Sequence, residues 1–329
     1  MINKVYEKFI KNNIKYIIIY ICLFLFICIP LPYYIDMPGG TTNINKKIEI
    51  ENSYKSKGMF GFAYVSSLRA TPLFYIISLI NNNWEVVPIK DIKLDNETIK
   101  DVNYRDNLLM EESFDSASIV AYKKANKKLN IIDNKLYVTY IDKKSKTNLV
   151  VGDQIISIDN IKVNNLEDIK KNIKNKNKIN IKVINKNKIY QKKATIVNID
   201  NKKSIGIMVT NDIKFESKPV IKFKKNSNES GPSGGLMLSL AIYNNLVKED
   251  ITKGKKIIGT GTIDINGKVG EIGGISFKIK GAVKDKADIF LVPEANYKEA
   301  LKTIKDNNYD IKLVKVRTFN DALNYLNNL

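Results

Sequence analysis

The spacing of hydrophobic residues changes along the chain, and each spacing predicts a different element. The first pattern is an apolar run over residues 16–35 (YIIIYICLFLFICIPLPYYI), which carries no charge. Such a run is long enough to cross a hydrocarbon core as a helix, so residues 16–35 are predicted to be a transmembrane helix. Tyr33 and Tyr34 at its end are typical of an interfacial aromatic belt.

Charges on either side of this run predict its orientation. Asp36 follows the run, and one acidic residue and four lysines precede it, namely Glu7, Lys4, Lys8, Lys11 and Lys15. The positive-inside rule then places residues 1–15 in the cytoplasm and the rest outside, as a single-pass protein of the cell membrane. A cleaved signal peptide is the alternative, but no A-x-A-like site follows the run, which favours a retained anchor.

Shorter patterns follow the apolar run. Residues 37–70 alternate apolar and polar positions and predict short strands. Residues 70–81 and 108–125 predict helices, the second with one apolar stripe. Residues 130–200 contain short Ile/Val strands, Asn/Lys turns and one helix near Leu166–Ile173. After residue 211 come an apolar helix, a strand over Lys256–Ile263, a hairpin turn and an amphipathic helix.

The composition removes several classes of chemistry. The chain has no histidine, so Ser-His-Asp triads, Cys-His pairs and HExxH zinc sites are excluded. A hydrolase must take its base from Lys, Asp, Glu or an amine. Both cysteines, Cys22 and Cys28, lie in the apolar run, so the remainder holds neither a disulfide nor a thiolate metal site. No cofactor or metal is predicted.

The net charge of +20 raises the question of nucleic-acid binding. Only Arg69, Arg105 and Arg317 are arginines, and the lysines are scattered among Asn and Ile. This composition is typical of an AT-rich genome, so no nucleic-acid partner is predicted. General attraction to anionic surfaces stays open.

A glycine- and proline-rich turn opens the apolar helix after residue 211. Residues 230–235 (SGPSGG) precede LMLSLAIYNNLV, so Ser233 lies where the helix begins. The first N–H groups of a helix are unpaired, and its dipole favours negative charge there. A serine so placed can attack a carbonyl while nearby amides stabilise the oxyanion. Pro232 has no N–H, so the donors are expected from Ser233 and its glycine neighbours, Gly231 and Gly234. On this turn alone, a plain helix cap remains the alternative for Ser233.

Two segments resemble known families. The strand pattern KLYVTYID followed by VVGDQIISIDNIKVNNLEDIKKNI resembles a PDZ domain, although the glycine usual in the carboxylate-binding loop is missing before Leu136. Peptide binding by strand addition and a purely spacing role both remain open for it. Farther along, GPSGG and GTGTIDINGKVGEIGGISFK together resemble the proteolytic domain of the Lon family. That resemblance implies Ser233 as nucleophile, Lys278 as its general base and Thr260 as a residue that helps hold the lysine. Ser230 and Glu229 stand where the family often has an acidic residue before Gly-Pro-Ser.

The Lon resemblance extends upstream to PGGTTNINKKIEI, SSLRATPLFYIISLI and MEESFDSASIVAYKKA. It implies an α+β, discontinuous Lon-type proteolytic domain of residues 36–127 and 211–329, with PDZ-like residues 128–210 inserted. Anchor, split domain and insert together resemble the extracytoplasmic, PDZ-containing Lon-like (S16-type) serine proteases of Gram-positive bacteria. Lon-type domains often assemble into rings, so a homo-oligomer is a further implication.

A lysine base has physical requirements. At its reference pKa of about 10.4 a lysine is charged at neutral pH, so Lys278 must be desolvated to accept a proton. Ile275, Phe277 and Ile279 are expected to supply apolar surroundings. Lys280 and Lys284 on the same helix are the rival bases; Lys280 falls on a different face from Lys278 and is interpreted as a solvated charge.

These patterns favour an ATP-independent serine endopeptidase. A GxxxxGK[ST] motif is absent from the sequence, so the substrates are expected to be peptides or unfolded protein segments. The alternative is a membrane-anchored PDZ-type adaptor with an inactive Lon-like domain. A third hypothesis, that the chain is a basic cell-surface or nucleic-acid-binding protein, rests on the charge alone.

Overall fold

The computed structural model describes residues 13–226 and 229–329. Most of the predicted cytoplasmic segment 1–15 therefore lies outside the described residues. The helices are α1 (Ile14–Cys28), α2 (Pro72–Ile80), α3 (Ile89–Ile92), α4 (Ile99–Lys124), α5 (Leu166–Ile173), α6 (Gly235–Leu246), α7 (Ile275–Lys284), α8 (Tyr297–Asp306) and α9 (Phe319–Asn327). The strands of the first half are β1 (Tyr33–Asn43), β2 (Ile48–Ile50), β3 (Met59–Arg69), β4 (Glu85–Pro88), β5 (Lys128–Ile141), β6 (Lys146–Thr147), β7 (Gln154–Ile158) and β8 (Ile161–Lys162). Those of the second half are β9 (Lys178–Asn185), β10 (Lys188–Thr195), β11 (Val197–Ile199), β12 (Lys202–Ser204), β13 (Ile207–Lys218), β14 (Ile221–Phe223), β15 (Lys256–Gly259), β16 (Thr262–Ile263), β17 (Val269–Gly270), β18 (Ile289–Pro293) and β19 (Lys312–Val316).

The chain divides into two compact units. The first contains the described residues up to Gly39 together with Val65–Ile92. The second contains Gly40–Tyr64 and Lys93–Leu329. Strands β1 and β3 contribute residues to both units, and all the predicted catalytic residues belong to the second.

The first unit corrects the predicted helix over residues 16–35. Helix α1 ends at Cys28, and the prolines that follow disfavour its continuation, because proline lacks an amide donor and restricts the residue before it. From Tyr33 onward the backbone is β1, which pairs antiparallel with β4 from Tyr33↔Pro88 to Asp36↔Glu85. No residue of α1 is buried. Among the described residues, no helix is long and apolar enough to cross a membrane.

The second unit is built around parallel strands. Strand β15 lies between β3 and β18, parallel to both, and β18 is parallel to β19. Neighbouring residues of β15 belong to different cores: Ile257 packs with Leu236 of α6, whereas Ile258 packs with Ile275 and Ile279 of α7. The sheet is therefore covered by helices on both faces, as parallel sheets usually are. This layering brings the starts of α6 and α7 to the same end of β15.

A separate antiparallel sheet contains the predicted PDZ-like residues. Its strand order is β13-β5-β7-β9-β10-β6, with β8 beside β7. The predicted helix is found as α5, and its buried residues Ile169 and Ile173 belong to this sheet's own core. Strand β13 continues to Lys218, beyond the predicted boundary at residue 210. The sheet and the segment after residue 210 thus share one continuous strand.

Strand β5 is paired on both sides. On one side β13 faces it, with Tyr137↔Thr210 in register, and on the other side β7 faces it, with Tyr137↔Gln154 in register. Val138 N also donates to Asp153 O at 2.9 Å. A peptide that adds a strand to a sheet needs an unpaired edge, and β5 offers none at these positions.

Candidate active site

The turn before α6 places Ser233 at the start of that helix. Gly234 is the N-cap residue of α6, and Ser233 is partly exposed to solvent. Among the described residues, the N–H groups of Ser233 and Gly234 have no hydrogen-bond acceptor, as is usual for the first amides of a helix. These amides are therefore available to an anion beside the Ser233 hydroxyl.

The amide of Gly231, which the sequence predicts as an oxyanion donor, already has another acceptor. Its N–H donates to the carbonyl of Asp106 in α4 at 2.9 Å, so this amide is already engaged. Its φ of 86° lies in the left-handed region, which favours glycine. Gly231 therefore supports the turn, and Ser233 and Gly234 carry the free donors.

Gly261, two residues after the end of β15, hydrogen-bonds to the turn and to the start of α6. Gly261 N donates to Ser233 O at 2.7 Å, and Gly261 O accepts from Leu236 N at 3.0 Å. The φ of Gly261 is 148°, and a Cβ there would lie 2.9 Å from Val269 Cγ1. Glycine is thus required where the strand bends to bind the helix start. The predicted strand over Lys256–Ile263 is accordingly interrupted at Thr260 and Gly261.

Lys278 is buried in α7, with 4% of its surface exposed. The neighbouring Ile275, Phe277 and Ile279 are also buried. Burial lowers the pKa of Lys278 from 10.5 to about 8, because the charged ammonium is poorly solvated there. A substantial neutral fraction near pH 8 makes this lysine a competent proton acceptor.

The other two lysines of α7 have different surroundings. Lys280 is half-buried and Lys284 is exposed. Lys278 is thus the buried lysine of this helix.

Thr260 connects Lys278 to the turn that carries Ser233. Lys278 Nζ lies 3.3 Å from Thr260 Oγ1, which in turn donates to Ser233 O at 3.0 Å. Thr260 is completely buried. In the described part of the chain the Lys278 amine is thus hydrogen-bonded to Thr260 and not to the Ser233 hydroxyl. The structure brings the three residues together, with the contact between lysine and serine running through Thr260.

Helix α4 supplies contacts that no local sequence pattern predicts. Ser113 Oγ donates to Pro232 O at 3.0 Å, next to the Asp106–Gly231 contact. Two acidic residues of the same helix bind strand β13: Glu112 Oε1 accepts from Asn211 N at 3.1 Å, and Asp115 Oδ2 accepts from Ile213 N at 3.2 Å. Burial raises the pKa of Asp115 to about 7. Helix α4 therefore binds both the turn before α6 and strand β13 of the antiparallel sheet.

Glu229, which precedes the turn in sequence, forms an ion pair with Lys47. Lys47 Nζ lies 2.6 Å from Glu229 Oε1 and 2.8 Å from Oε2, and Lys47 is buried. Glu229 thus has a specific partner at the place where the sequence departs from the usual Lon pattern. A buried lysine paired with a carboxylate holds the chain that enters the turn.

Known proteins contain a segment similar in sequence to the one that carries Ser233, Thr260 and Lys278. Residues 224–327 match the Lon protease (S16) C-terminal proteolytic domain. This segment is homologous to Lon proteases. It includes Ser233, Thr260 and Lys278, whereas Ser113 and Lys47 lie upstream of it.

Individual relatives show the same local similarity. Lon protease of Campylobacter jejuni is 36% identical over 102 residues, which is 30% of this chain and 12% of the relative. Lon protease 2 of Bacillus subtilis is 33% identical over 93 residues, which is 28% of this chain and 16% of the relative. Lon protease homolog 2, peroxisomal, of Kluyveromyces lactis is 34% identical over 83 residues, 25% of this chain and 8% of the relative. The matches therefore concern the Lon-type proteolytic segment, and the chain spans only a small share of these proteins.

Proposed function

We propose that the chain is an ATP-independent serine endopeptidase in which Ser233 is the nucleophile and Lys278 the general base. The observation that carries this proposal is the buried Lys278 amine, joined through Thr260 to the backbone of Ser233 at a helix N-terminus. Homology of the surrounding segment to Lon proteases supports the same assignment.

The chemistry follows from the positions of these groups. Neutral Lys278 accepts the Ser233 hydroxyl proton after a small movement of its flexible side chain away from Thr260. The serine oxygen attacks the peptide carbonyl, and the free amides of Ser233 and Gly234 stabilise the oxyanion. Protonated Lys278 then gives its proton to the leaving amine, and water hydrolyses the resulting acyl-enzyme.

The pH dependence tests the lysine base. Since the pKa of Lys278 is lowered to about 8, the neutral form is lost as the pH falls below that value. We expect kcat/KM for a fluorogenic peptide to drop about tenfold per pH unit below the pKa and to level off above it. The measurement uses the full chain in mild detergent, without nucleotide, between pH 6 and 10. A profile that is flat from pH 6 to 9 would exclude Lys278 as the base.

The substrate class follows from the absence of a motor motif. No GxxxxGK[ST] sequence occurs in the 329 residues, so nothing in the chain is equipped to unfold a protein with ATP. We infer that the substrates are peptides or unfolded segments that reach Ser233 unaided.

We also propose that the N-terminal apolar segment anchors the chain to a membrane and leaves the active site outside the cytoplasm. Large side chains of α1 are exposed, among them Tyr20 (69%) and Phe24 (65%), and the lysines before it predict a cytoplasmic N-terminus. We expect the chain to sediment with membranes, to resist extraction by carbonate and to be digested by protease added outside intact protoplasts. Recovery in the carbonate supernatant would overturn the anchor, and protection in protoplasts would overturn the orientation.

A peptide-binding adaptor with an inactive catalytic segment is less well supported. Both edges of β5 are paired at Tyr137, so strand addition has no free edge there. An adaptor would bind peptides and leave them intact, so the cleavage assay above distinguishes the two functions.

A further inference from the structure

We propose that Ser113 is a positioning residue that sets the direction of an oxyanion-stabilising amide. This inference rests on the proposed function and adds a residue from outside the segment that is homologous to Lon proteases. It starts from one contact, the 3.0 Å hydrogen bond from Ser113 Oγ to Pro232 O.

The contact is unusual for a serine inside a helix. Such hydroxyls commonly bond to a carbonyl three or four residues earlier in their own helix. Ser118, in the same helix, does this: its Oγ donates to Phe114 O at 2.9 Å. Ser113 instead reaches a carbonyl that is 119 residues away in sequence. Its 4% exposure means that bulk water has little access to replace this donor.

The geometry of a peptide unit transmits the contact to Ser233. The bond between Pro232 and Ser233 is trans, so the Pro232 carbonyl and the Ser233 N–H point in opposite directions in one plane. Holding the carbonyl against Ser113 therefore directs the Ser233 N–H away from α4. A rotation of this peptide plane would turn the donor out of the position where the oxyanion forms.

The neighbouring residues leave room for the hydrogen bond between Ser113 and Pro232. Gly235 N also donates to Pro232 O, at 3.2 Å, and a Cβ at Gly235 would lie 2.7 Å from Ser113 Oγ. Glycine at this position leaves room for the hydroxyl to approach. The other side of Ser233 is fixed by Thr260 and Gly261, which both donate to Ser233 O. Ser113 is thus the side-chain donor to the peptide plane that carries the Ser233 amide.

The substitution Ser113→Ala tests the inference. Deleting an oxyanion donor outright lowers kcat by about 10²–10³-fold, so misdirecting one is expected to lower kcat by about tenfold. KM and the pH midpoint set by Lys278 should stay as in the wild type, because Ser113 contacts neither substrate nor lysine. A peptide aldehyde, whose hemiacetal oxygen needs the same amide, should bind about tenfold more weakly.

Ser118→Ala is the matched control. It removes a buried hydroxyl and one hydrogen bond from the same helix but leaves the turn untouched. We expect its thermal unfolding to shift about as much as that of Ser113→Ala, with kcat as in the wild type. If Ser113→Ala unfolds, Ser113→Cys replaces it, since a thiol of similar shape is a weak donor. Its kcat should fall between those of wild type and the alanine variant.

The outcomes separate this inference from the proposed function. If wild type and Ser233→Ala cleave peptides equally, the proposed function fails, and the inference with it. If Ser233 is essential but Ser113→Ala matches Ser118→Ala in kcat, or Ser113→Cys matches the wild type, the positioning role fails alone. A shifted pH midpoint in Ser113→Ala would also overturn it, because Ser113 would then act through Lys278.

Discussion

Replacing either Ser233 or Lys278 with alanine is expected to lower kcat/KM by more than about 10³-fold, and replacing both should lower it no further. The reason is that serine and lysine act as a unit: without the base the hydroxyl is a weak nucleophile, and without the hydroxyl the base has no proton to accept. Single and double variants should therefore share one residual activity. Their rates on a fluorogenic peptide, measured near pH 9, check this.

Two variants control for general damage. Ser230→Ala removes an exposed hydroxyl from the same loop, and Lys284→Ala removes an exposed lysine from the same helix. Both should cleave at the wild-type rate. An additive loss in the double variant, or a Lys278→Ala enzyme as active as Lys284→Ala, would show that the two residues do not form a dyad.

The sequence predicted the site wherever its signal was local. The Gly-Pro-Ser turn before an apolar run predicts a serine at a helix start, and Ser233 lies there. The hairpin turn predicted after the strand over Lys256–Ile263 is confirmed: it contains Asn266 and Gly267, with Thr262↔Gly270 and Ile263↔Val269 paired. In both places the residues that determine the structure are neighbours in the chain.

Long-range contacts were not predictable in this way. Ser113 and Pro232 are 119 residues apart, and Lys47 and Glu229 are 182 apart, so no spacing rule connects either pair. The parallel pairing of β3 with β15 is also set by burial on two faces and not by local pattern. The sequence therefore predicts which groups react, which stays a prediction, but not the distant contacts around them.

Two boundaries failed for different reasons. Helix α4 begins at Ile99 and not at residue 108, because a capping box formed by Thr98 and Asp101 starts it in a polar stretch. The sequence contains this signal as T-x-x-D. The apolar run predicts one helix over residues 16–35 because hydropathy does not distinguish an apolar helix from the apolar strand that begins at Tyr33.

Replacing Lys278 with methionine is expected to stabilise the fold while abolishing catalysis. Methionine has a similar unbranched shape and no charge to bury. Lowering a lysine pKa from 10.5 to about 8 corresponds to a folding penalty of about 3 kcal/mol at pH 7, where the group is charged in both states. Loss of the hydrogen bond to Thr260 offsets about 1 kcal/mol of this, so a net gain of about 2 kcal/mol is expected.

The pH dependence of that gain identifies its origin. The penalty on wild type is complete below the folded-state pKa of about 8 and disappears as the pH rises toward the unfolded value of 10.5. The difference in free energy of unfolding between Lys278→Met and wild type, measured by urea titration, should therefore be largest at pH 7 and small at pH 10.5. Lys284→Met, on the exposed face of the same helix, should change the stability little at either pH. A Lys278→Met protein that is less stable than wild type at pH 7 would mean that the amine is well solvated, and a base with a lowered pKa would then lose its physical basis.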